Sequence, residues 1–164
     1  MKKIWILLLC AALMIAAAGC GKTVKEPETT KSNAGLGNPF VDCATLEEAA
    51  EIAGFDIAVP DRIEGFEDVM IQAVKDEMIQ VFYTAADSSE VMIRKGLGEE
   101  DISGDYEHYD KQIVKWVGDQ TVNFRGNGEL VNVAYWITDD NAYCFRASNG
   151  MPMEKIEALI PTIR

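Results

Sequence analysis

From Val69 to Ser148 the chain repeats one pattern: short segments of alternating apolar and polar residues, broken by turn residues. A period of two belongs to strands that bury one face, and an amphipathic helix cannot be built on it. Val69, Ile71 and Ala73 alternate with Met70, Gln72 and Val74. After Lys75-Asp76-Glu77, the residues Ile79, Val81 and Tyr83 face one way. Asp87-Ser88-Ser89 makes the next turn, and Val91 and Ile93 carry a third segment against Glu90, Arg94 and Lys95. Further strands are predicted at about 113–118, 120–125, 129–138 and 142–148, with Gly126-Asn127-Gly128 as the strongest hairpin turn. Along 129–138, Val131, Val133, Tyr135 and Ile137 share one face, while Leu130, Asn132, Ala134 and Trp136 share the other.

Two helices frame these strands. Thr45-Leu46-Glu47-Glu48 reads as a capped helix start, Leu46, Ala49, Ala50 and Ala53 as its apolar stripe, and Gly54 as its stop. Phe55–Val59 then alternates as a short strand ending at Pro60. Met151 through Leu159 reads as a second helix, with Pro152 in its first turn and Met153, Ile156, Leu159 and Ile160 on one face. The predicted class is α+β: a twisted antiparallel sheet of six to eight strands with an N-terminal and a C-terminal helix packed on it.

Ahead of this domain, Lys2 and Lys3 precede an unbroken apolar run from Ile4 to Ala18, followed by Gly19, Cys20 and an abrupt polar stretch. This is the layout of a secretory signal, and the run is short for a membrane-spanning helix, which needs about 20 residues. Ala17-Ala18-Gly19-Cys20 resembles the lipobox of bacterial lipoproteins, with Ala17 where leucine is commonest. The resemblance implies cleavage before Cys20 and a lipid on its sulfur, and two acyl chains suffice for stable anchoring. The alternative is plain secretion with Cys20 free. The expected divisions are therefore a signal peptide at 1–19, a lipidated cysteine and flexible tether at 20–38, and a single domain at 39–164. Residues Gly21–Asn38 lack apolar periodicity, and a tether of that length spans roughly 20–25 Å on average.

Charge narrows the partners. The whole chain carries a formal −12, and loss of residues 1–19 takes Lys2 and Lys3 away. Such acidity argues against nucleic acid and against attraction to anionic headgroups, so the lipid alone is expected to hold the membrane. The expected partners are the membrane, through that lipid, and a protein or other component of the cell envelope.

Of the four cysteines, Cys10 lies in the leader and Cys20 at the lipobox. Cys43 and Cys144 remain, and in an extracytoplasmic setting an even pair suggests a disulfide closing a loop of about 100 residues. Two buried free thiols are the alternative. With only one histidine, His108, they do not complete a zinc site.

Catalytic equipment is thin. His108 would have to work with Ser88, Ser89, Ser103 or Ser148, none of which sits in a nucleophile elbow, and no glycine-rich phosphate loop follows a strand. The segment from Glu99 to Asp110 is dense in carboxylates that could take Ca²⁺, but its spacing misses the EF-hand pattern, and a solvated loop is the expectation. No metal, cofactor or catalytic residue is expected. Trp116 and Trp136 fall on predicted strands, where aromatics are usually core. Exposed, they would form with Tyr106 and Tyr109 a platform for peptide, glycan or lipid.

Asn38-Pro39-Phe40, the Leu46–Gly54 helix running into Phe55 and Val59-Pro60, and Gly126-Asn127-Gly128 through Tyr135-Trp136 to Tyr143 together resemble a family of Gram-positive lipoproteins with an extracytoplasmic domain of unknown function. Related domains occur in anti-sigma-factor-like proteins. The resemblance covers about residues 38–164 and carries over no catalytic or ligand residue. It implies location and fold. The function expected is a lipid-anchored, non-enzymatic binding or sensing module on the outer face of the cytoplasmic membrane. The alternatives are a carrier of an apolar ligand between sheet and helices, and a hydrolase using His108.

Overall fold

A computed structural model describes residues Asn38–Arg164. Residues 1–37, on which the expected signal peptide, Cys20 and all but the last residue of the expected tether fall, lie outside the described residues. The chain runs β1 (Val41–Cys43), α1 (Leu46–Ala53), β2 (Asp68–Val74), β3 (Met78–Thr84), β4 (Glu90–Leu97), β5 (Lys111–Val117), β6 (Gln120–Asn127), β7 (Leu130–Thr138), β8 (Asn141–Pro152) and α2 (Met153–Leu159), closed by a 3₁₀ turn at Ile160–Thr162. All eight strands join one open antiparallel sheet in the order β1-β2-β3-β4-β8-β7-β6-β5.

The sheet is two meanders set side by side, and its order has one consequence for function. β4 is internal and β5 is the far edge, so the segment 98–110 must carry the chain past β8, β7 and β6. At about 4.8 Å per strand the crossing is roughly 19 Å, well within reach of thirteen residues.

Period-2 alternation assigns the two faces. Ile79, Val81, Tyr83, Val91, Ile93, Val122, Phe124, Ala134, Trp136 and Phe145 point to one side, where they form the main core with Ala49, Ala53, Ile156, Ile160 and Ile163. This is the helix face. The start of α1 is fixed as its sequence suggests: Thr45 Oγ1 accepts from the Glu48 amide at 3.2 Å, and Glu48 accepts from the Ala44 amide at 2.8 Å. Gly54, at φ 80°, closes the helix onto the Ala50 carbonyl.

Three details depart from the sequence pattern. A three-residue strand, β1, precedes the first helix. Phe55–Val59 is extended but joins no strand; Ala58 instead exchanges two backbone hydrogen bonds with Arg164, and the Asp56 carbonyl accepts from the buried Lys95 ammonium at 2.8 Å. That ammonium also lies over the rings of Phe55 and Tyr143, 5.4 Å from each centroid, so a cation stands within an apolar core. In β7, a register shift between Val131 and Val133 puts Val131 in the helix-face core, while Val133 turns to the other face. The period-2 reading missed it because a bulge inserts one residue and reverses the alternation beyond it. Gly126 pairs with Val131 there, and a Cβ on it would stand 2.0 Å from the Leu130 carbonyl oxygen.

Candidate functional site

The other face of the sheet holds the chemistry. Its middle is a small apolar island, Met92, Val133 and Cys144, with Phe82, Ile102 and Tyr109 packed against it. Around the island stand polar side chains at strand positions where the opposite face is core. One row runs across five strands: Gln72 donates to Asp42 at 2.7 Å, Gln80 donates to Gln72 at 2.7 Å, and Arg94 donates through Nε and Nη2 to Gln80 at 3.0 and 2.6 Å. Cys144 pairs with Arg94 at the end of this row. Arg94 also donates to the Ile102 carbonyl, which lies in the crossing segment.

That segment is a strap, and the expectation of a solvated loop is corrected. Ser103 is 1% exposed, and Ile102, Asp105 and Tyr109 are half-buried. Arg125 Nη2 reaches Asp101 at 2.7 Å and Ser103 Oγ at 3.0 Å, while its guanidinium lies 5.4 Å from the Tyr135 ring centroid. Asp105 accepts from the Tyr109 hydroxyl at 2.9 Å and from the Glu107 amide at 3.1 Å. Burial first, and then that bond to Asp105, push the Tyr109 phenol up to about 12. The strap's carboxylates are thus partly spent on the sheet's arginines. Among the described residues no group of His, Cys, Asp or Glu is arranged to hold a metal ion.

Where the strap descends toward β5 it leaves a cavity of about 300 Å³, lined by Asp105, Glu107, His108, Tyr109, Asn127, Asn132, Arg146, Ala147 and Ser148. The floor is the bulged part of β7 and β8, where residues 147–150 leave the ladder between the Arg146–Val133 and Met151–Val131 pairs. Asn132 donates to the Ala147 carbonyl at 3.3 Å, and Ser148 Oγ accepts from the Glu90 amide at 2.8 Å. His108 is exposed on the rim.

The expectation of core tryptophans holds for Trp136 and fails for Trp116, and the four aromatics that exposure would have made one platform are dispersed. Trp136 is 1% exposed in the helix-face core, its ring stacked on Tyr143 at 5.4 Å. Trp116 lies on the opposite face, on edge strand β5, and is 69% exposed. Tyr106 is exposed on the strap and Tyr109 is tucked beneath it. A shared period-2 pattern could not separate the tryptophans, because they sit on strands whose alternation is out of phase.

The disulfide is also corrected. Cys43 and Cys144 are free thiols. β1 and β8 are separated by three strands, a gap of roughly 19 Å against the ~4.4–6.8 Å between Cα atoms that a bridge requires. Burial among apolar neighbours pushes the Cys144 thiol up to about 12, which makes it inert.

Arg94, Arg125 and Arg146 are the site residues that sequence reasoning did not single out. Their signal was present: Gln72, Gln80 and Arg94 are long polar side chains at the central, non-core positions of successive strands. No family model, no curated protein and no solved structure matches this chain.

Proposed function

We propose that the protein is a lipid-anchored, non-enzymatic binding module, held through Cys20 on the outer face of a cytoplasmic membrane, and that a protein partner adds a strand to β5. What supports the anchor is the lipobox-like Ala17-Ala18-Gly19-Cys20 behind an apolar run. The observation that carries the binding reading is β5 itself. It is a seven-residue edge strand, exposed from Lys111 to Trp116, with Val114 and Trp116 65% and 69% exposed. Such an edge offers unpaired backbone groups to any extended chain, and proteins ordinarily blunt it. The opposite edge is blunted, since β1 is only three residues long.

The side chains of β5 select the guest. Lys115 is already paired with Glu157 at 2.6 Å and Lys111 donates to the Gly128 carbonyl, so the lysine side is largely spent on this chain and the exposed Val114 and Trp116 are left to select the guest. A guest strand with apolar residues beside Val114 and Trp116 satisfies that face.

A photo-crosslinking residue at Val114 tests the edge in cells, with the same residue at exposed Lys75 as control. A discrete adduct from position 114, absent from position 75 and lost with Trp116→Glu, is the expected result. Membrane-bound protein giving no such adduct rejects the strand partner. The anchor is tested apart: Cys20→Ala should leave the membrane fraction, and equal fatty-acid labelling of both forms rejects lipidation.

A further inference from the structure

Three arginines rise on the strap face, and two of them are held by the strap, Arg125 through Nη2 alone. Arg94 is committed to Gln80 and the Ile102 carbonyl, and Arg125 to Asp101 and Ser103. Arg146 differs. Its contact is with Asp105, Nε to Oδ2 at 4.0 Å, which is an ion pair too long for a hydrogen bond. Asp105 is itself satisfied by the Tyr109 hydroxyl and the Glu107 amide, with a side chain only 9% exposed. The guanidinium therefore lines the 300 Å³ cavity, positioned by a buried carboxylate, with its N–H donors unspent among the described residues.

We propose that this cavity binds a small hydroxylated monocarboxylate, of the size and chemistry of one sugar acid, with the carboxylate on Arg146. The planar fork of a guanidinium matches a carboxylate bidentately, and it discriminates by geometry as well as by charge. Asn127 Oδ1 accepts from the Asp110 amide, Asn132 Nδ2 donates to the Ala147 carbonyl and Ser148 Oγ accepts from the Glu90 amide, which leaves Asn127 Nδ2, Asn132 Oδ1 and the Ser148 hydroxyl proton for hydroxyls in the same lining. The volume stands at the small end of ligand pockets, room for one ring rather than a chain of rings. Charge sets the upper limit: Asp105, already paired with Arg146 at 4.0 Å, and Glu107 both share the lining and the chain is strongly anionic, so a single negative charge is admitted where a dianion meets twice the repulsion. The β7–β8 bulge is in keeping with this, since bulges recur where a sheet is opened to re-aim side chains beside a site. The inference is independent of the strand partner on β5.

The test is a titration of the full-length protein in detergent micelles, followed by backbone amide resonances. The probes are D-glucuronate, D-glucose, which lacks the carboxylate, and acetate, which lacks the hydroxyls. Saturable shifts at Asn132, Arg146 and Ser148 are expected with glucuronate, with affinity at least about tenfold above either other probe. Arg146→Gln should remove that advantage, and Arg146→Lys should restore part of it. Asn132→Asp, which adds a carboxylate to the lining, should weaken glucuronate independently should Arg146→Gln fail to fold. An absence of saturable shifts, an equal response to glucose, or glucuronate affinity unchanged in a folded variant overturns the proposal.

Discussion

On one side of the sheet, Trp136, Phe124, Phe145 and Tyr83 meet the apolar stripes of two helices and the 3₁₀ turn in one buried core. On the other side an island of three fully buried apolar residues is roofed by a strap that guanidinium groups pin from below. The first cover works through area, at about 25 cal/mol per Å² removed from water, and tolerates no opening. The second works through a handful of directional bonds, each of modest net value, and it leaves a cavity where the bonds stop. One sheet thus separates a cover held by buried area from a cover held by directional bonds. The unspent arginine and the exposed β5 residues Val114 and Trp116 lie on the strap side, where the core does not depend on them.

The largest effect should therefore come from the helix face. Trp136→Ala removes a side chain that is 1% exposed and stacked on Tyr143, and should cost about 3–5 kcal/mol in urea unfolding. A loss below about 1 kcal/mol would mean that the strap, and not the helix-face core, holds the sheet together.

Alkaline titration sharpens the comparison, because each face carries one tyrosine held protonated. Burial, with a smaller contribution from Asp61, pushes Tyr83 up to about 12, and Tyr109 on the strap is pushed to about 12 as well. An unfolded phenol ionises near 10. Between pH 10 and 12 the unfolded chain releases protons that the folded chain keeps, so stability is fully present below pH 10 and falls as pH rises to 12. Tyr83→Phe and Tyr109→Phe should each flatten that fall, and an unfolding free energy independent of pH over this window contradicts both.

Arg94→Ala strikes the strap side. It leaves Gln80 and the Ile102 carbonyl without their donor, and should cost about 1–3 kcal/mol. Hydrogen exchange is the decisive readout: the Ser103 and Asp105 amides, bonded within the strap, should lose protection while helix-face strands keep theirs.

How much of this was legible depended on which physics governed each segment. Because caps and turns are decided within four residues, local rules reached the α1 cap, the Gly54 stop and the existence of the β6–β7 hairpin, although its turn is Gly128-Glu129 and Gly126 and Asn127 are paired in β6. They also reached the broad α+β class and an antiparallel sheet of six to eight strands, though they make Phe55–Val59 a strand and pass over β1. What they missed is long-range. The jump from β4 to the far edge, which turns 98–110 from a loop into a strap, leaves no local trace. The bulge at Asn132 reversed the faces of β7, and Cys43 and Cys144 looked pairable only because a sequence does not show that three strands lie between them. The candidate site was legible in part: Tyr109 and the acidic run were noticed, but the arginines that give them meaning come from β4, β6 and β8.

The smallest effect should come from the residue that most resembles a catalyst on paper. His108 is the single histidine, and it stands on the strap near Ser148, the one expected serine partner that shares its cavity. Yet Ser148 is bonded to the Glu90 amide, Asp105 is bonded to Tyr109, and His108 itself is exposed. The strap is gripped by side chains that rise from the sheet, so a rim imidazole has no share in holding it. His108→Gln should therefore change unfolding free energy by less than about 0.5 kcal/mol, as for an ordinary surface substitution. Protection of the Ser103 and Asp105 amides should stay unchanged, in contrast to Arg94→Ala. A loss above about 1 kcal/mol, or faster exchange at those amides, would show that the strap holds itself by its own side chains, and the division of labour between the two faces would fail at that point.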